Sequence, residues 1–266
     1  IDAIQQGKHG YTPSAGIPEL RQAAAAYLSR TRGIKVQADD VVVGAGAKPF
    51  IGYTIQSVTD FGAGDEVIYP VPGFPIYESQ IKANGAVGVP IYLRESRDFS
   101  FDPKELAAKI TPRTKLLILN SPQNPTGGIL TRADLQAIAD ILRQHPQVWV
   151  FADEIYGQLV YDGEFQSIAA LPGMQERTVL SDGCSKTWAM TGWRLGYIAA
   201  PEWLAKGLDS MQSHTTSNVT SFAQKGAVAA YKGPQDCVEE MLKEFDRRRK
   251  RVMEMLKDIP KISFVK

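Results

Sequence analysis

Cysteine is scarce in this chain: Cys184 and Cys237 are the only two in 266 residues. Neither stands in a CxxC pair, so a disulfide framework is excluded, no metal site is expected, and a reducing, cytoplasmic compartment is the plain reading. An excess of charge is lacking as well, with 30 Lys+Arg against 29 Asp+Glu and a formal net charge of +1. That balance gives no electrostatic reason to expect nucleic acid or an acidic membrane surface as a partner. Apolar runs long enough to span a bilayer are missing, and so are internal repeats and low-complexity linkers. What is present is an ordinary globular composition, 44% hydrophobic and 22% charged. A chain of this length buries a sizeable core, as one large domain or two small ones.

Short apolar runs alternate with helical patterns along the sequence. Strands are expected at Val41–Gly44, Glu66–Tyr69, Val87–Leu93, Lys115–Asn120, Val148–Ala152, Thr178–Ser181 and Leu195–Ala199. Several of these are continuously apolar, as when both faces of a sheet are covered. Helical patterns fall at Ile17–Thr31, Lys48–Phe61, Phe74–Asn84, Asp102–Lys109, Thr131–Gln144 and Trp203–Met211. The alternation predicts an α/β fold, three layers α/β/α, with a seven-stranded, mostly parallel sheet over residues 1–232. From Gly233 onward the apolar residues recur at helical spacing to Ile259, with Arg247-Arg248-Arg249-Lys250-Arg251 as a solvated face. Residues 233–266 are therefore expected to be a long interdomain helix and the start of a second, small domain. The chain opens on Ile1 and ends on Ile262-Ser263-Phe264-Val265-Lys266, which resembles a strand cut short. An interior piece of a longer protein is the expectation, with its second domain barely represented.

Four stretches carry chemistry. Lys186, in Gly183-Cys184-Ser185-Lys186, follows a strand among small neighbours that let a flat ligand approach. A lysine in a partly desolvated cleft can lose its proton and attack a carbonyl. Arg194 follows eight residues later in Thr191-Gly192-Trp193-Arg194-Leu195-Gly196. Asp153, in Phe151-Ala152-Asp153-Glu154-Ile155-Tyr156, sits at the end of an apolar strand, where a buried carboxylate needs a cationic partner. Glu154 beside it is expected to point into a structural contact. In Asn120-Ser121-Pro122-Gln123-Asn124-Pro125-Thr126-Gly127-Gly128, two prolines force an irregular, rigid loop with a tendency to cis bonds. Gly44-Ala45-Gly46-Ala47-Lys48 joins a strand to a helix and offers backbone N–H groups to an anion. It lacks GxGxxG spacing, which disfavours a dinucleotide.

Together with Tyr11-Thr12-Pro13-Ser14-Ala15-Gly16-Ile17-Pro18-Glu19-Leu20-Arg21, these stretches resemble the class I/II aminotransferases, fold-type I enzymes dependent on pyridoxal 5′-phosphate (PLP). The resemblance is nearest to bacterial enzymes of the aspartate-aminotransferase type. It implies that Lys186 carries PLP and afterwards acts as general base and acid. It implies further that Asp153 pairs with the pyridinium nitrogen, that Tyr156 and Asn124 hydrogen-bond the 3′-oxygen, and that Asn124 also touches the substrate carboxylate. Arg194 would grip the phosphate with the backbone of Gly46, Ala47 and Lys48, Phe74 would stack on the ring, and Ser185 would add to the phosphate shell. Tyr11 would reach the neighbouring subunit's phosphate, making the working unit a homodimer. The implied reaction is ping-pong transfer of an amino group from an L-amino acid to a 2-oxo acid. Another fold-type I reaction, such as C–S β-lysis, and a non-catalytic effector-binding domain are the alternatives. Many relatives have a phosphate-binding serine where this chain has Gly183, and Ser181 or Ser185 could replace it. The family's substrate-carboxylate arginine lies beyond Lys266. Were that carboxylate held within this chain, Arg21, Arg30 and Arg32 would be the first to test.

Overall fold

A computed structural model describes residues 1–264. Among these the helices are α1 (Asp2–Gln5), α2 (Pro18–Arg32), α3 (Pro49–Val58), α4 (Ile76–Ala83), α5 (Pro103–Lys109), α6 (Arg132–Arg143), α7 (Cys184–Thr187), α8 (Glu202–Thr215), α9 (Ser221–Lys232) and α10 (Asp236–Leu256). The strands are β1 (Val41–Ala45), β2 (Glu66–Val71), β3 (Val87–Tyr92), β4 (Thr114–Asn120), β5 (Trp149–Asp153), β6 (Thr178–Gly183) and β7 (Leu195–Ala199). They form one sheet in the order β1-β7-β6-β5-β4-β2-β3. All neighbours pair in parallel except β7, which runs antiparallel to both β1 and β6.

Alternation of side chains along each strand divides the core into two faces. Val42, Ile118, Phe151, Val179 and Ile198 point into one layer, with Phe50, Ile55, Tyr77 and Leu208 from α3, α4 and α8. Val41, Val43, Leu180 and Tyr197 point the other way, toward Leu20, Leu28 and Ala227 of α2 and α9. On that same side Leu117, Leu119 and Val150 meet Leu106, Leu135 and Ile138 of α5 and α6. Both faces are covered, which is why the strand sequences lack polar alternation.

All seven expected strands are present. Helix α9 was not expected: its Ala-Gly-rich sequence, Ser221-Phe222-Ala223-Gln224-Lys225-Gly226-Ala227, offers few large apolar residues to mark a period. The expected strand over 262–266 lies partly outside the described residues, and Ile262, Ser263 and Phe264 carry no regular structure. The basic run on α10 is a solvated face, as expected, with Arg247 and Arg248 paired to Glu244 and Lys250 to Asp246. Among the described residues no helix is long and apolar enough to cross a membrane.

Candidate active site

Strands β1, β2, β4, β5 and β6 all end at one edge of the sheet, and antiparallel β7 begins there. The crevice outside those carboxyl ends is where an open α/β sheet binds ligands. It forms a cleft of about 290 Å³, lined among others by Gly46, Ala47, Lys48, Phe74, Asn124, Asp153, Tyr156, Ser185, Lys186 and Arg194. Ten of the expected site residues are thus brought together from six separate stretches of chain. A larger cleft of about 440 Å³ beside Val36, Leu180 and Trp203 contains none of them.

Asp153 closes β5. Its Oδ2 accepts the Tyr77 hydroxyl at 2.7 Å, and burial pushes its carboxyl above the usual range, with the two hydrogen bonds it accepts opposing the rise. The same burial, together with the Asp153 charge, holds the Tyr77 hydroxyl well above the ordinary tyrosine range. Tyr77 lies on the inward face of α4, and no motif marked it. Its signal was only its spacing, three residues after Phe74. The ring of Phe74 meets that of Tyr77 edge-on at 5.8 Å and faces the cleft with Lys48 Nζ 5.5 Å from its centroid.

The proline loop after β4 is fixed by its own amides. Asn120 Nδ2 donates to the carbonyl of Asp153 at 3.0 Å, and Asn120 Oδ1 accepts from the Asn124 N–H at 2.9 Å. Gln123 Nε2 donates to the Pro72 carbonyl at 2.8 Å. The Ser121-Pro122 and Asn124-Pro125 bonds are both cis, as is Val71-Pro72. This scaffold presents Asn124 Nδ2 to the Tyr156 hydroxyl at 3.4 Å. Burial raises the Tyr156 phenol and the Asp153 charge adds to the rise, while the Asn124 bond opposes it. Lys186, on the short helix α7, places Nζ 5.5 Å from the Tyr156 ring centroid.

At the other end of the cleft, Arg194 donates from Nη1 to the Thr191 carbonyl at 2.8 Å and from Nη2 to the Ala45 carbonyl at 3.4 Å. The guanidinium lies against Gly46, where φ is +86° and an added Cβ would stand 2.4 Å from Nη2. Gly196 is equally constrained, since a Cβ there would lie 2.2 Å from the Ala47 nitrogen. Both glycines permit this close approach. Backbone amides of the β1–α3 loop and a guanidinium together suit an anion.

Four expectations fare differently. Tyr11 is 94% exposed and stands outside this chain's own cleft. Ser181 is buried in β6 beside its ladder partner Asp153 and is not among the residues lining the cleft, whereas Ser185 does line it. Gly183 allows no serine without movement, because a Cβ would sit 2.7 Å from the Gly196 Cα. The three arginines are committed elsewhere. Arg21 bonds Asp39 and the Val41 carbonyl, Arg30 lies over the Tyr27 ring, and Arg32 is buried between two carboxylates.

Those carboxylates are Glu154 and Asp182. Arg32 Nε donates to Glu154 Oε2 and Nη2 to Asp182 Oδ2, both at 2.8 Å. Glu154 thus makes the structural contact expected of it. Burial pushes Glu154 up to about 7 and Asp182 up to about 6, with Arg32 opposing both shifts.

The family model for class I and II aminotransferases matches residues 1–266. An aspartate aminotransferase of Geobacillus stearothermophilus is 41% identical over 270 residues, covering 100% of this chain and 67% of that protein. An aspartate/prephenate aminotransferase of Cereibacter sphaeroides is 40% identical over 258 residues, covering 96% of this chain and 64% of its own. Among solved structures, an aromatic aminotransferase from Pyrococcus horikoshii superposes with a TM-score of 0.93 at 38% identity, over 97% of this chain and 69% of that one. The chain spans about two thirds of the length of these relatives.

Proposed function

This chain belongs to the class I and II aminotransferase family, and from that premise we propose that it is the cofactor-binding part of a PLP-dependent transaminase acting on an L-amino acid and a 2-oxo acid. The observation that carries the reading is the convergence of Lys186, Asp153, Asn124, Tyr156 and Arg194 on one cleft. The donor set fits PLP at both ends. A buried carboxylate beneath one wall suits a ring nitrogen that carries a proton, since a cation there offsets the cost of burying Asp153. The glycine-lined approach of Arg194 to the β1–α3 loop suits a phosphate.

When bound, PLP supplies an electrophilic carbon and a ring that accepts the electrons released at the substrate Cα. The chain's residues do the rest. Lys186 Nζ would be the attachment point, and its free amine would serve as the general base that accepts the substrate Cα proton and the general acid that returns it in forming the product. Asp153 keeps a proton on the ring nitrogen. Tyr156 OH and Asn124 Nδ2 donate toward the 3′-oxygen, with Asn124 also reaching the substrate carboxylate. Arg194 and the amides of Gly46, Ala47 and Lys48 hold the phosphate, helped by Ser185, and Phe74 walls the ring. The donor leaves as a 2-oxo acid before the acceptor enters, so the kinetics are ping-pong.

The relatives' names make L-aspartate the first donor to try. We read residues 1–232 as the PLP-binding domain and 233–266 as the interdomain helix leading to a small domain; exposed Phe245, Val252 and Met255 on α10 support that division. The free thiols of buried Cys184 and exposed Cys237 fit a reducing, cytoplasmic setting. The test uses full-length protein loaded with PLP and assayed with L-aspartate and 2-oxoglutarate. Glutamate formation, with borohydride fixing the cofactor onto a Lys186 peptide, is the expected result. Labelling of a different lysine, or no amino transfer from any of a panel of amino acids, overturns the reading.

A further inference from the structure

Arg32 lies outside the cleft, yet it joins the two strand ends that carry the chemistry. It ends α2, and its guanidinium is almost fully enclosed, with 1% of the side chain exposed against 5% for Glu154 and 2% for Asp182. Glu154 is the residue after Asp153, and Asp182 lies four residues before Lys186. One prong of the fork therefore holds the end of β5 and the other the end of β6. Each carboxylate is anchored a second time. Glu154 Oε1 accepts the Ser167 hydroxyl at 2.5 Å, and Asp182 Oδ1 accepts the Gly183 N–H at 2.7 Å. The guanidinium carbon lies over the Phe165 ring, 4.6 Å from its centroid, and an added Cβ on Gly157 would stand 2.7 Å from Nη2. Besides the two carboxylates, the titratable groups facing it are Tyr27 of α2 itself and Tyr197 of β7.

Planar two-pronged donation is specific to arginine; a lysine ammonium is a point charge on a flexible stem. A device that served only to neutralise buried acids would not need the fork. Here the fork spans two strand ends near which Asp153 and Lys186 must sit at a fixed separation around one ligand. We propose that Arg32 is a positioning residue of the transamination site: through Glu154 and Asp182 it clamps the ends of β5 and β6 and so sets where Asp153 and Lys186 stand relative to each other. The proposal rests on the transaminase reading, and it adds a residue that touches neither cofactor nor substrate.

The test compares full-length wild type with R32K and D182N. R32K keeps the charge and loses the fork, while D182N is nearly isosteric and weakens only the β6 prong. Four quantities are measured: melting temperature, PLP dissociation constant, the pH midpoint of the bound cofactor's visible band, and kcat with KM. Both variants are expected to bind PLP, to shift that pH midpoint, and to lose kcat on the order of tenfold to a hundredfold with KM nearly unchanged, as a small misplacement of reacting groups does. A lowered melting temperature with band midpoint and kcat as in wild type would make Arg32 a purely structural contact and overturn the proposal. Failure of both variants to fold overturns it equally. A wild type that binds no PLP or transfers no amino group refutes instead the transaminase reading on which this one stands.

Discussion

At the residue scale the cleft is governed by burial of polar groups that hold one another. Asp153 is the clearest case, because among the described residues its only side-chain donor is the Tyr77 hydroxyl. Tyr77→Phe keeps the ring in its packed place and removes that donor, leaving a buried oxygen unmatched. Chemical denaturation should read a loss of about 1–3 kcal/mol, and Asp153 should titrate higher still, since the lost bond lowers it now. A variant as stable as wild type would mean that the bond contributes nothing net. Glu154 allows a test with a definite sign. Its carboxyl moves from an ordinary 4.5 in the unfolded chain to about 7 in the fold, chiefly through burial. Between those values the folded state binds more protons than the unfolded one, so stability falls as pH rises through that window. Glu154→Gln removes this group from the balance, and denaturation midpoints measured across the window should fall less steeply than in wild type. An unchanged slope would show that Glu154 keeps the same protonation state folded and unfolded. The role of neither Tyr77 nor Arg32 was legible in the sequence, which offered Arg32 only as a candidate for the substrate carboxylate. A tyrosine on a helical face and an arginine ending a helix look like hundreds of others until the sheet brings Asp153, Glu154 and Asp182 to them.

At the element scale the sequence was far more informative, for a physical reason. Strands buried on both faces must be apolar throughout, so Val41-Val42-Val43 and Leu116-Leu117-Ile118-Leu119 announce themselves. Ends were read less well. Strand β5 runs on to Asp153 and β6 to Gly183, past the last apolar residue, because the ladder pairs Asp153 with Ser181 and Gly183 with Gly196 irrespective of polarity. Of these polar extensions, Asp153 lines the cleft. Helix α6 was placed to within a residue at its start, and its start has a testable cause. Thr131 Oγ1 accepts the Asp134 N–H at 3.1 Å while Asp134 Oδ2 accepts the Thr131 N–H at 2.9 Å, a reciprocal cap. Thr131→Ala should cost about 1 kcal/mol of stability. The helix contributes no residue to the lining of the cleft, so PLP affinity should stay at the wild-type value. A change in PLP affinity larger than the change in stability would show that α6 is coupled to the cleft.

At the scale of the whole molecule the open question is what Tyr11 is for. Its backbone neighbours are tied down: the Lys8 carbonyl accepts from Ser221 Oγ at 2.9 Å, Thr12 Oγ1 from Gln224 Nε2 at 3.1 Å, and the Ser14 carbonyl from Gln212 Nε2 at 2.6 Å. Between these anchors the Tyr11 ring projects away from its own subunit, 94% exposed. A single exposed aromatic is ordinary, but one held out on an anchored segment suits a contact with a second copy of the chain. From the family resemblance we propose that this contact is with the partner's phosphate site, an exchange that two-fold symmetry would make mutual. Complementation in full-length protein tests this directly. Tyr11→Ala should weaken PLP binding, and Lys186→Ala should abolish turnover. In a mixed dimer one site would combine Lys186 of the first chain with Tyr11 of the second, both intact, and the other site would lack both. Random mixing makes half the dimers mixed with one good site in each, so activity should recover to roughly a quarter of wild type. Recovery should also depend on subunit exchange and fail when the two variants are mixed too briefly for chains to trade. No recovery after complete exchange, or a monomer by light scattering at assay concentration, would remove Tyr11 from the active site and make each cleft the work of a single chain.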